Sequence, residues 1–211
     1  MNTITKIEVQ KRNKNRVNVY VDHEYAFSLD SELVYKEGLK TNESINIEKV
    51  EEIAKKDNYL KCKSAALRIV EKTYKSEKEL KDKLLLKGYD KNSIEKSIEF
   101  LKEYGFINDI SFAKLYIKDK NRTQGKSKIK YDLIKKGISE DIIESSISNI
   151  DEEDERDNAY NIAIKKYNVI AKREDDKYKL SQKLFRFLLS KGYSYDTVSY
   201  VVRKITNQED I

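Results

Sequence analysis

The residues best equipped to do chemistry in this chain are lysines and arginines, and the chemistry they suit is anion binding. Nine of them fall between Ile110 and Gly137: Lys114, Lys118, Lys120, Arg122, Lys126, Lys128, Lys130, Lys135 and Lys136, against two acids, Asp119 and Asp132. That segment is net +7 in a chain of 211 residues whose formal charge is +6, so the remainder is close to neutral. Lys114, Lys118 and Arg122 stand at i, i+4 and i+8 and stack on one face of a helix. Like charges so spaced repel by about 0.2–0.5 kcal/mol per pair, which solvent can absorb. Lys126, Lys128 and Lys130 follow Gly125 and load the start of a further helix, where the backbone dipole is already positive. An anion docked at that helix end would relieve the conflict, and a phosphate backbone is the natural candidate. The plain alternative is a solvated lysine-rich face. A second, weaker basic patch comprises Lys183, Arg186, Arg203 and Lys204.

Catalytic constellations are missing from the pattern. There is no GxxxxGK[ST] cradle for a nucleotide, and no GxGxxG follows a strand. One histidine, His23, sits in a predicted turn, and one cysteine, Cys62, stands alone, too few for a zinc site of ordinary type. Carboxylate pairs such as Glu51-Glu52 and Asp175-Asp176 lie in charge-rich, exposed patterns. The expectation is a protein that is not an enzyme and needs no metal or cofactor.

Compartment and shape follow from composition. The N-terminal segment lacks the apolar core of a signal peptide. No run approaches the ~18 apolar residues of a membrane span. A lone cysteine fits a reducing cytosol, so we expect a cytoplasmic protein with no membrane partner, read as a monomer. Hydrophobic and charged residues each make up 38% of the chain, with no proline and six glycines. That balance suits an elongated helical assembly better than a compact sphere.

The elements that must position the cations come in two kinds. Residues 4–29 alternate with period two through Ile7 and Val9, then Val17, Val19 and Val21, then Tyr25, Phe27 and Leu29, which predicts three short strands. Asn13-Lys14-Asn15 and Asp22-His23-Glu24 supply the turns. Ser31–Leu39 predicts a short helix ending near Gly38, and Ile47–Ala54 begins another. From Tyr59 onward the pattern is helical and repeats.

The repeat is marked by LLLKGY (84–89), LIKKGI (133–138) and LLSKGY (188–193), with Gly88, Gly137 and Gly192 in register. Aligning on the glycines superposes Leu80, Ile129 and Leu184, then Leu84, Leu133 and Leu188. Beyond them Ile94, Ile143 and Val198 coincide, then Ile98, Ile147 and Val202, and lastly Leu101, Ile150 and Ile205. Glycine just past a helix end tolerates the left-handed conformation, and Asp90, Ser139 and Ser194 are placed to cap the helix that follows. One further amphipathic helix precedes each pair: Cys62–Lys72, Ile110–Lys120 and Arg156–Tyr167. Ser76 and Glu79 fit a capping box, and the acidic run Asp151–Asp157 reads as an exposed connector, a hinge or a first helical turn. The predicted fold is therefore mainly α, a tandem array of three three-helix units with a small N-terminal three-stranded β element. The expected boundaries are 1–58, 59–108, 109–151 and 152–211.

This order of features resembles the RecX family of regulatory proteins. The likeness is carried by Tyr104-Gly105-Phe106-Ile107-Asn108-Asp109 with Phe112-Ala113, then Arg122, Gly125, Ile129, Leu133 and Lys136-Gly137-Ile138. Upstream, Ala66-Leu67 and SEKELKDKLLLKGY (76–89) also match, and the likeness runs over roughly residues 60–205. Asn108 departs from the pattern, which often has an acid there, and this alters a helix-entry contact. The resemblance implies a non-enzymatic modulator that binds the RecA recombinase or its nucleoprotein filament and limits filament growth, ATP turnover and strand exchange in DNA repair. Direct contact with single- or double-stranded DNA is also implied for some members, and some promote rather than inhibit. The rival reading is a sequence-independent DNA-binding helical protein without a recombinase partner.

Overall fold

In a computed structural model, residues 2–206 are described, Ile47 by its backbone only. The period-two stretches form β1 (Asn2–Val9), β2 (Arg16–Val21) and β3 (Glu24–Asp30), followed by α1 (Ser31–Lys36). A two-residue edge strand, β4 (Ser44–Ile45), joins β1, so the antiparallel sheet has the order β3-β2-β1-β4. Pairing sets Val19 opposite both Ile7 and Phe27, and Val17 opposite Leu29. With Ile4 and Val21 these residues form the inner face. The β2–β3 loop is Asp22-His23, both with positive φ (49° and 70°), the two-residue turn that matches strand twist. His23 is thus the turn residue its neighbours predicted. Val9 and Tyr25, expected to follow the alternation, are exposed. A register shift between Val19 and Tyr20 sets Tyr25 opposite Tyr20 instead, and their rings meet edge to face at 6.0 Å.

The helix expected to begin at Ile47 and the one expected at Cys62 are a single element, α2 (Ile47–Lys72), capped by Asn46 accepting from the Lys49 N–H. No glycine or proline interrupts it. Ala54, Asn58, Cys62 and Ala66 recur every four residues and are all buried, a stripe of small side chains that lets other elements approach closely. Ala54 packs on the sheet core, the Asn58 amide donates to the Ser28 carbonyl of β3, and Cys62 and Ala66 belong to the first repeat. One rod therefore serves two cores.

The repeats are α2 with α3 (Glu77–Leu86) and α4 (Lys91–Glu103), then α5 (Asp109–Lys120), α6 (Lys126–Lys135) and α7 (Glu140–Ile147). The third is α8 (Glu152–Ile170), α9 (Lys177–Ser190) and α10 (Tyr195–Thr206). Of the fifteen superposed apolar positions, Ile205 alone is partly exposed and the others are buried. Each such side chain contributes about 1.5–3 kcal/mol by leaving water, so the repeat columns are the cores. Gly88, Gly137 and Gly192 have φ of 86°, 81° and 85°, as glycines past helix ends should. The capping box at Ser76 and Glu79 is complete, and Asp90 and Ser194 accept from Ser93 and Thr197 N–H groups. Ser139 stands at its helix start but makes no side-chain cap bond. The acidic run Asp151–Asp157 is the cap and first turns of α8, where four acids complement the dipole.

The chain divides into two compact halves, Met1–Asn108 and Asp109–Ile211. The sheet and first repeat make up the former, and the second and third repeats the latter.

Candidate functional site

The basic strip divides into two groups once side chains are placed. On α5 the buried face is Phe112, Ala113 and Ile117, which turns Lys114 and Lys118 to solvent. Arg122, just past the helix, is exposed as well. None of the three has an ion-pair partner among the described residues. The neighbouring lysines are less available. Lys120 lies 2.8 Å from Asp119 and 5.8 Å from the Tyr116 ring centre, and Lys136 lies over the rings of Phe112 and Tyr116. Lys135 sits 4.4 Å above Tyr131.

The start of α6 is occupied from within the chain. Gly125 is its N-cap and has no side chain to accept a bond. Its own N–H donates to the Lys191 carbonyl at 2.9 Å, and the Ser127 N–H donates to the Gly192 carbonyl at 3.2 Å. The Lys126 N–H donates to Glu155 Oε1 at 3.0 Å, while Lys126 Nζ stands 3.6 Å from Glu155 Oε2. Glu155 is 6% exposed. At this lysine-rich helix start, where an anion was expected, the structure places the Glu155 carboxylate of α8. Lys128 packs its Cβ against Gly192, and Lys130 pairs with Glu144 of α7.

Reading by sequence missed Glu155 as a site residue. The available signal was an acidic run placed opposite a helix start that carries too much positive charge. Beside this carboxylate the Tyr193 hydroxyl is buried without a hydrogen-bond partner among the described residues; burial, and then the charge of Glu155, push its pKa well up.

The secondary patch is similarly mixed. Lys183 is held 2.8 Å from Glu174, and Lys204 lies over the rings of Tyr160 and Tyr200. Arg186 and Arg203 are exposed, Arg186 beside Tyr178, Phe185 and Tyr195 in a cleft of about 320 Å³. Of the cations singled out by the sequence, Lys114 and Lys118 on α5 are exposed without an ion-pair partner among the described residues, and so is Arg122, which lies in the turn past Lys120 rather than on the expected common helix face. Among the described residues no cluster of His, Cys, Asp or Glu could hold a metal ion. No helix among the described residues is long and apolar enough to cross a membrane.

These features define a helical-repeat protein with a small sheet at its N-terminal end and an exposed cationic row on its central repeat. Comparison with known proteins then fixes the family. The model of the regulatory protein RecX N-terminal domain matches residues 2–46, and those of the first, second and third RecX three-helix domains match 62–101, 108–147 and 152–202. The chain belongs to the RecX family. It is 59% identical over 209 residues to regulatory protein RecX of Clostridium perfringens strain 13, covering 99% of each chain. To that of Clostridium beijerinckii it is 56% identical over 205 residues, covering 97% of this chain and 96% of the other. A crystal structure of regulatory protein RecX superposes with a TM-score of 0.65 at 25% identity, covering 95% of this chain and 98% of that one. RecX from Lactobacillus salivarius gives 0.62 at 26% identity over 72% and 99%.

Proposed function

We propose that this protein binds the RecA recombinase or its nucleoprotein filament and limits filament growth, ATP turnover and strand exchange, without catalysis of its own. The carrying observation is the set Lys114 and Lys118 on α5 and Arg122 in the turn just beyond it, all exposed and free of internal ion pairs among the described residues. No described residue forms an ion pair with them, so they are available to an anionic filament surface, where steering by a cationic row raises the rate of encounter. The relatives' shared name, regulatory protein, supports modulation over catalysis. Cys62 is a buried free thiol, which suits a reducing cytosol.

The test is ATP turnover by the recombinase from the same source on single-stranded DNA. Protein added far below the concentration of DNA sites should slow turnover. Slowing seen only when the protein saturates the DNA would point instead to competition for nucleic acid, with no recombinase partner.

A further inference from the structure

Arg16, the first residue of β2, is 2% exposed, and Nε, Nη1 and Nη2 are all buried without a hydrogen-bond acceptor among the described residues. Burying a guanidinium is strongly unfavourable unless something negative meets it. Tyr89 lies 5.4 Å away, ring centre to Cζ, and meets the guanidinium with its π face, not with a hydrogen bond. Arg16 lines a cleft of about 480 Å³ together with Asn13, Asn15, Lys61, Ser64 and Arg68.

Two acids share that cleft, and both are engaged elsewhere. Asp30 accepts from the Glu32 N–H at 2.9 Å through Oδ1 and meets Lys61 at 2.8 Å through Oδ2. Asp57 lies 3.2 Å from the same Lys61. Burial opposes ionisation of Asp30, but bonds from Lys61 and the Glu32 N–H, with the charges of Lys61 and Arg16, hold its carboxyl below the usual range. Arg16 therefore feels Asp30 at a distance without bonding it.

A second cleft of about 500 Å³ shares Ala65, Arg68 and Tyr89 with the first. Its charged lining is Arg68, Lys72, Lys83 and Lys87, with no acid. All four are exposed, and none is ion-paired among the described residues. The lining is braced by contacts of its own. Asn13 Nδ2 donates to the Lys87 carbonyl at 3.3 Å, and Gln10 packs so close to Gly88 that a Cβ there would come within 3.0 Å of it. The β1–β2 loop is thus seated on the end of α3.

We propose that the two clefts form one binding groove for a nucleic-acid phosphodiester backbone, one phosphate on the Arg16 guanidinium and its neighbours over Arg68, Lys72, Lys83 and Lys87. A single carboxylate would satisfy Arg16 alone. Four further cations with no acid among them call for regularly repeated negative charge, and phosphate contacts are the form in which lysine and arginine meet it. A protein partner would need apolar anchors, and Ala65, Ile69 and Thr73 offer little beside Tyr89. The groove lies within Met1–Asn108 and uses no residue of the row on α5.

The test uses full-length protein carrying Lys114→Gln, Lys118→Gln and Arg122→Gln, so that the α5 row does not contribute. Binding of a labelled oligothymidylate is followed by anisotropy across a salt series. Adding Lys72→Gln, Lys83→Gln and Lys87→Gln should flatten the log–log salt slope by about 2, since each contact on single strands contributes about 0.7. Adding Arg16→Met to the α5 background instead should weaken binding about tenfold at low salt, as loss of a charge-assisted contact predicts. In case Arg16→Met does not fold, hydrogen exchange on the otherwise unaltered groove supplies a second reading. The oligonucleotide should protect amides in residues 13–16 and 83–89. An unchanged slope in the lysine variant, or no protection of those amides, overturns the proposal. So does protection by a polyglutamate peptide and not by the oligonucleotide, which would make the occupant an acidic protein.

Discussion

Gly125 and Gly192 meet backbone to backbone: a Cβ on Gly125 would stand 2.3 Å from the Gly192 carbonyl oxygen. In the other direction a Cβ on Gly192 would lie 2.4 Å from the Cβ of Lys128. The start of α6 and the turn after α9 are therefore joined by main chain, with no room for a methyl group. Gly125→Ala should lower stability by about 1–3 kcal/mol, the range for overpacking. Gly192→Ala should lose about 1 kcal/mol more, because its φ is 85°. Urea denaturation followed by circular dichroism measures both. Gly105→Ala is the control: φ there is 71° with nothing within 4 Å, so it isolates the conformational part.

Glu155 is predicted to hold that seam electrostatically. Glu155→Ala removes the acceptor for the Lys126 N–H and the partner of its ammonium, and should cost about 1–3 kcal/mol. Glu155→Gln keeps an acceptor and should cost less. Native-state hydrogen exchange at the Lys126 amide should accelerate in the alanine variant. An unchanged exchange rate there would mean that the carboxylate does not cap α6.

Alkaline stability should report on Cys62. Burial pushes its thiol up from 9.0 to about 11, with a hydrogen bond to Ser97 pulling weakly the other way. The folded state thus holds the proton more tightly than the unfolded chain. Its contribution is complete below about pH 9 and is lost as pH rises through about 11. Tyr193 acts in the same direction at still higher pH. Urea midpoints measured from neutral to alkaline pH should fall less steeply above pH 9 in Cys62→Ala than in the wild type. Parallel curves would contradict this account of Cys62.

The repeat was legible because core positions recur in register with the glycines, and a helix packed on its neighbours needs the same apolar columns in each copy. The α5 row was legible for the same reason: helical period alone separates Lys114 and Lys118 from Phe112, Ala113 and Ile117. Glu155 was not, since its neighbours Glu152, Glu153 and Asp154 are acids of the same kind and exposed. Only the packing of α8 against the start of α6 selects one of them for burial. Arg16 was hidden similarly. Alternation marks Val17, Val19 and Val21 as inward, and nothing in that pattern tells that Tyr89 and α2 close over the residue before them. The single helix α2 was divided in two because its polar middle has no apolar period, although it has no breaker either.

We propose that Lys114, Lys118 and Arg122 engage the recombinase filament. The most direct measurement is binding of wild type and of Lys114→Gln/Lys118→Gln/Arg122→Gln to assembled filament and to bare single-stranded DNA across a salt series. The variant should stay folded, bind filament at least tenfold more weakly at low salt, and lose most of the salt dependence of filament binding. Equal binding of both proteins to filament at every salt concentration would contradict it and leave the row a solvated face.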